Sequence, residues 1–139
     1  VGGVKRAREF ASKTSSSLAV VDKHRPQPNS AEVMNVIGNV EGRTCILVDD
    51  MIDTGGTVTL ASSALIEKGA REVFACSTHG VLSGNALEKI ASSPIKELVV
   101  TNTIDSRKIN SKIKVVSVAQ LFAEAIKRIS ENKSVSELF

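Results

Sequence analysis

Thr44-Cys45-Ile46-Leu47-Val48-Asp49-Asp50-Met51-Ile52-Asp53-Thr54-Gly55-Gly56-Thr57 is the stretch whose reading decides the fold. The apolar run has the length and content of a buried strand, and it ends on two carboxylates, Asp49 and Asp50. In open parallel sheets ligands bind at the carboxyl ends of strands, so two anions at that position predict a site. Asp53 to Thr57 follows as a loop rich in hydroxyls and glycine that opens a helix expected to run to Lys68. Backbone N–H groups at a helix amino terminus lack intrahelical partners and carry partial positive charge, so they hold anions without a basic side chain. Gly55 and Gly56 are expected to supply close approach and positive φ. Ionised aspartates upstream suit sugar hydroxyls or Mg²⁺. A phosphorylated sugar meets both demands, whereas a Walker A loop would need Gly-Lys-Ser/Thr, which this stretch lacks.

Outward from that stretch, strand-like and helix-like runs alternate. Helical character covers Val4 to Lys13, and short apolar strands are expected at Leu18 to Lys23 and Val33 to Ile37. Beyond the central helix, Gly69 is placed to be its C′ residue and Glu72 to Thr78 to be the next strand. Ser83 is positioned to N-cap a helix reaching Ser92, Pro94 breaks it, and strands follow at Glu97 to Thr101 and Ile113 to Ser117. Val118 to Ser130 reads as the last helix. This alternation predicts an α/β fold with a doubly wound, mostly parallel sheet and helices on both faces, and 1–139 as a single domain. His24 to Ala31 and Asp105 to Lys112 are expected to be flexible.

Composition narrows the function. A chain of 139 residues, 42% hydrophobic, can bury one sizeable core. A net charge of +3 on scattered Lys and Arg, with four Phe and no Trp or Tyr, gives no reason to expect a nucleic-acid partner. No run approaches a membrane span, which predicts a cytoplasmic protein without a membrane partner. Cys45 and Cys76 fall inside predicted strands without metal-like spacing and are expected to be buried and reduced. Lys5, Arg6 and Arg8 lie in the first turns of the first helix, where the dipole disfavours cations unless an anion sits nearby. His79, near a strand end, is expected to be a hydrogen-bonded structural histidine rather than a metal ligand.

The string from Thr44 to Thr57 resembles the phosphoribosyl diphosphate (PRPP) loop of type I phosphoribosyltransferases and PRPP synthetases. Several other segments resemble the synthetases: Asp22-Lys23-His24-Arg25-Pro26, which looks like their catalytic flexible loop; Pro28 to Met34; Glu41-Gly42-Arg43; Thr78-His79-Gly80; Leu82-Ser83-Gly84; Thr101-Asn102-Thr103; and Ser134-Val135-Ser136. The resemblance covers the whole chain and is to the carboxyl-terminal half of the ribose-phosphate pyrophosphokinase family, whose enzymes carry two similar α/β domains. It implies a type I phosphoribosyltransferase-like fold and transfer of the diphosphoryl group of Mg·ATP to the 1-hydroxyl of ribose 5-phosphate, giving PRPP and AMP. By that resemblance Lys23 and Arg25 would be catalytic, with Arg25 also touching substrate. Asp49, Asp50, Asp53, Thr54, Gly55, Gly56 and Thr57 would bind ribose 5-phosphate, and Ser134 and Ser136 would help bind a regulatory anion.

Glu137 departs from the aromatic residue that many relatives carry there, and it places an anion beside that regulatory site. The family's metal-binding Asp would lie just before Val1, so no residue of the chain is assigned as a certain Mg²⁺ ligand. The amino-terminal domain and neighbouring subunits, which supply most ATP contacts, would be partners. Homo-oligomers, hexameric in the full-length enzyme, are expected, with negligible turnover from this chain alone. Two rival readings are a nucleobase phosphoribosyltransferase, which would consume PRPP with a base, and a nonenzymatic PRPP synthetase-associated regulatory subunit. The Lys23 to Arg25 segment and the tail argue against the first, and the intact cradle residues against the second.

Overall fold

A computed structural model describes residues 2–24, 33–105 and 109–138. In chain order the elements are α1 (Gly2–Lys13), β1 (Val20–His24), β2 (Val33–Ile37), β3 (Thr44–Ile52), α2 (Gly56–Glu67), β4 (Glu72–Gly80), α3 (Ala86–Ser92), β5 (Ile95–Thr101), β6 (Ile113–Val116) and α4 (Ala119–Ser130), followed by a 3-10 turn at Ser136–Leu138. β3, β4, β5 and β6 form a parallel sheet in that order, while β1 and β2 pair antiparallel as a separate ribbon.

The sheet is buried on one face by periodicity alone. Leu47, Ala75, Leu98 and Ile113 lie in register across its four strands. On that face they pack with Val58 of α2 and Ile90 of α3, and Ile90, Leu98 and the neighbouring Val100 are fully buried. The opposite row, Val48, Cys76 and Val99, faces α1, whose Arg6 and Phe10 line the same cleft. Helices therefore cover both faces, as the alternation predicts. Leu65 and Ala70 join Val40 and Val73 in a second cluster. There α2 ends in a Schellman turn: Ala70 N–H donates to Leu65 O and Gly69 N–H to Ile66 O, with Gly69 at φ 86°.

Several expectations are corrected. β3 does not stop at its carboxylates but continues through them to Ile52. Asp is depleted in strands because its side chain competes for the backbone. Here Asp49 and Asp50 each satisfy that tendency locally, by accepting from the next residue's amide, without breaking the strand. Lys23 lies within β1, opposite Met34, as the strand expected over Leu18 to Lys23 has it, and β1 runs one residue further to His24; Arg25 and the Lys23 side chain lie outside the described residues. So does most of the expected flexible stretch 24–31. Of the other, 105–112, the last part is tied down: Asn110 Nδ2 donates to Leu87 O at 2.9 Å and Lys112 Nζ to Ser93 O at 2.7 Å. Both cysteines are free but only half-buried, and burial pushes their thiols above the ordinary value. α4 is amphipathic but has no buried residue, with Phe122, Ile126 and Ile129 more than half exposed.

Candidate functional site

The carboxyl end of β3 and the start of α2 enclose a cleft of about 190 Å³ lined by Asp49, Met51, Ile52 and the run Asp53 to Val58. The chain turns from strand to helix through Gly55, whose φ of 75° is left-handed and which serves as the N-cap of α2. A glycine is needed there because an L side chain meets its own carbonyl in that conformation. Gly56 is a different case. It has no positive φ and simply begins the helix, so the expectation of positive φ at both glycines holds only for Gly55. The first intrahelical bond is Thr59 N–H to Gly55 O at 3.1 Å, which leaves the Gly56 and Thr57 amides without a carbonyl one turn earlier. Among the described residues no side chain caps α2. Thr54 and Thr57 are exposed beside these amides.

Asp49 and Asp50 stand one strand-end away. Asp50 N–H donates to Asp49 Oδ1 and Met51 N–H to Asp50 Oδ1, each at 2.9 Å. Arg6 of α1 approaches both, at 3.9 Å from Asp49 and 3.3 Å from Asp50. Thus a cation in the first turns of α1 does find an anion, as the dipole argument requires. Burial, the largest influence, pushes the Asp49 carboxyl above its ordinary range against the lowering effect of the Asp50 amide. Asp50 moves the other way, held low chiefly by its hydrogen bond with the Asp49 side chain and then by the Met51 amide.

Two further residues reach the loop. Lys89 Nζ of α3 lies 3.4 Å from Thr54 O, and Ser83 Oγ donates to Asp53 Oδ1. Ser83 was expected to cap α3; instead Asn85 occupies that position, and the Ser83 side chain turns to the cradle. Sequence offers no signal for Lys89, which comes from a helix two elements away. His79 Nδ1 meets Thr103 Oγ1 at 2.8 Å, the structural role expected of it. No group of three or more His, Cys, Asp or Glu side chains among the described residues could hold a metal. No helix among them is long and apolar enough to cross a membrane.

The tail forms its own small assembly. Ser134 Oγ and Ser136 Oγ are 2.6 Å apart. Arg128 Nη1 bonds to Ser134 O at 3.0 Å and Glu137 Oε2 at 2.6 Å, and its Nε to Glu124 at 2.9 Å. Glu137 is thus spent on Arg128.

A four-stranded parallel sheet with helices on both faces, and an uncapped glycine turn at its carboxyl edge, define an α/β protein of the type I phosphoribosyltransferase-like class. Over residues 3–139 the chain matches the phosphoribosyl synthetase-associated domain family, and it belongs to that family. It is 57% identical to ribose-phosphate pyrophosphokinase of Clostridium tetani, over 100% of this chain and 44% of that protein. It is also 57% identical to the Bacillus subtilis enzyme of the same name, over 99% of this chain and 44% of that one. The crystal structure of phosphoribosylpyrophosphate synthetase from Mycobacterium smegmatis matches with a TM-score of 0.84 and 39% identity, covering 95% of this chain and 43% of that one. The chain therefore spans less than half the length of these relatives.

Proposed function

We propose that this chain is the ribose 5-phosphate-binding part of a cytoplasmic PRPP synthetase, which transfers the diphosphoryl group of ATP to the 1-hydroxyl of ribose 5-phosphate. The observation that carries this reading is the uncapped, left-handed turn at Gly55, whose free amides at Gly56 and Thr57 lie one strand-end from the Asp49–Asp50 pair. The amides and the hydroxyls of Thr54 and Thr57 hold the 5-phosphate. Asp49 and Asp50 accept hydrogen bonds from the ribose hydroxyls and so orient the 1-hydroxyl. Lys23 and Arg25 neutralise charge developing on the transferred group, and Arg25 also contacts substrate. Asp53 completes the loop.

The Asp49–Asp50 pair offers hard oxygen donors, both about half exposed to solvent. That donor set suits Mg²⁺, which binds through one or two carboxylates and keeps waters and substrate phosphates as its other ligands. When bound, Mg²⁺ would offset polyphosphate charge. ATP contacts come largely from an amino-terminal domain and neighbouring subunits, in a homo-oligomer that is hexameric for the full-length enzyme. Residues 1–139 alone, one domain in this reading, have negligible turnover. Ser134 and Ser136 lie at a regulatory anion site.

The matched family's name favours a second reading, a synthetase-associated subunit that turns over nothing and alters a partner enzyme. Calorimetric titration with ribose 5-phosphate tests the first. Gly56→Val should abolish binding while leaving the circular dichroism unchanged, because an added Cβ would meet, among the described residues beyond its chain neighbours and own helix, Thr54 Oγ1 at an ordinary 3.9 Å. Unchanged affinity would move the site elsewhere. Binding by the native chain, with AMP formed from Mg·ATP only when an amino-terminal half is supplied, supports the synthetase over the associated subunit.

A further inference from the structure

α2 begins without a side-chain cap although Asp53 and Thr54, two residue types that cap helices readily, lie within two positions of Gly55. An ionised carboxylate free to swing onto the Gly56 and Thr57 amides would fill the place of a bound phosphate. Asp53 does not do so, because Ser83 Oγ donates to its Oδ1. The loop between β4 and α3 is held to deliver that hydroxyl: Leu82 N–H donates to Ile52 O at 3.1 Å and Ser83 N–H to Asp53 O at 3.0 Å. Leu82 takes a left-handed φ of 52° in making these bonds, and Gly84 follows at 58°. A leucine in that region is strained, and such strain persists only where neighbours over-determine it. Here the Leu82 side chain packs against the buried cluster around Ile90, so the core clamps the turn that presents Ser83.

We infer that Ser83 is a positioning residue of the cradle. By holding Asp53 it keeps the carboxylate from capping its own helix and leaves the amides free for the sugar phosphate. This rests on the ribose 5-phosphate reading. Its effect acts through Asp53, which separates it from an ordinary structural serine.

The test is calorimetric affinity of the 139-residue chain for ribose 5-phosphate, with inorganic phosphate as a second probe, in four proteins: native, Ser83→Ala, Asp53→Ala and the double variant. Ser83→Ala should weaken both ligands on the order of tenfold, as losing one charge-assisted hydrogen bond does. In the Asp53→Ala background the same substitution should change nothing, because no carboxylate remains to compete. Ser83→Thr, which keeps the hydroxyl, should restore native affinity. If the native chain binds ribose 5-phosphate and Ser83→Ala binds it equally well, the positioning role is overturned while the cradle stands. An equal loss in both backgrounds also overturns it, because Ser83 would then act without Asp53. If the native chain binds neither ligand, the cradle reading fails and this inference falls with it.

Discussion

Gly55→Ala and Gly56→Ala place the same methyl group on neighbouring residues of one turn, yet their effects on stability should have opposite sign. Neither site is crowded among the described residues: an added Cβ at Gly55 would lie 3.6 Å from Ala86 and one at Gly56 would lie 3.9 Å from Thr54 Oγ1, both ordinary contacts. Both substitutions remove the same freedom from the unfolded chain, a gain of about 0.4–1 kcal/mol where the native backbone is compatible. Gly56, in the first turn of α2 without a positive φ, receives that gain. Gly55, at φ 75°, must in addition force alanine into the left-handed region at about 1–2 kcal/mol. The unfolded-state contribution cancels between the two variants, so the gap between them is the left-handed strain alone, about 1–2 kcal/mol. For a chain of this size that is roughly 3–8 °C in Tm. Urea unfolding at pH 7, with equal slopes confirming a common unfolded state, measures it. Equal midpoints for the two variants, or a lower one for Gly56→Ala, would refute the argument that conformation and not space decides these positions.

Two further substitutions probe the site and the core beneath it. Burial raises the Asp49 carboxyl, so its ionisation opposes folding; this penalty is absent below the unfolded-state value and appears as pH rises through the folded value. Asp49→Asn should therefore raise Tm at pH 7 and converge with the native chain in acid, which melting curves across the acid range would show. Asp50, shifted down, contributes the opposite slope: stability present above its unfolded value and lost as pH falls through the folded one. At Gly80 an added Cβ would lie 3.1–3.2 Å from three atoms of the fully buried Val100. Gly80→Ala should cost about 1–3 kcal/mol by overpacking, and Gly80→Ala with Val100→Ala should cost less than the two single losses added, read from urea midpoints.

The strand, glycine turn and helix of the cradle were legible because each rests on local chemistry: an apolar run, residues that favour turns, and the terminal polarity of a helix. The parallel pairing of β3, β4 and β5 followed from their alternation with α2 and α3, whereas β6 joins the sheet parallel to β5 with no helix between them. The orientation of the β1–β2 ribbon did not, because short apolar runs carry no sign of direction. Arg6 was half legible, since a cation in a first turn asks for an anion, but only the packing of α1 on the sheet names Asp49 and Asp50. Ser83 was read as a cap because serine before a helix usually is one. Its partner Asp53 is thirty residues earlier, and only the three-dimensional meeting of the two loops reveals that bond. Lys89 and the Arg128–Glu137 clasp are contacts of the same kind, between groups whose proximity no local pattern encodes.

The two carboxylates of β3 have a colloidal consequence as well. β3 is nine residues long, pairs within the described sheet only with β4, and leaves Ile46 about half exposed. An open strand edge of that length is a template onto which another molecule's strand can add, and charge is the usual deterrent. Asp49 and Asp50 supply that deterrent in the carboxyl half of the strand. Neutralising Asp49 would give a molecule that unfolds at a higher temperature in dilute solution yet precipitates sooner when concentrated, because the charge that strains the fold is also one of the two that keep neighbouring molecules apart.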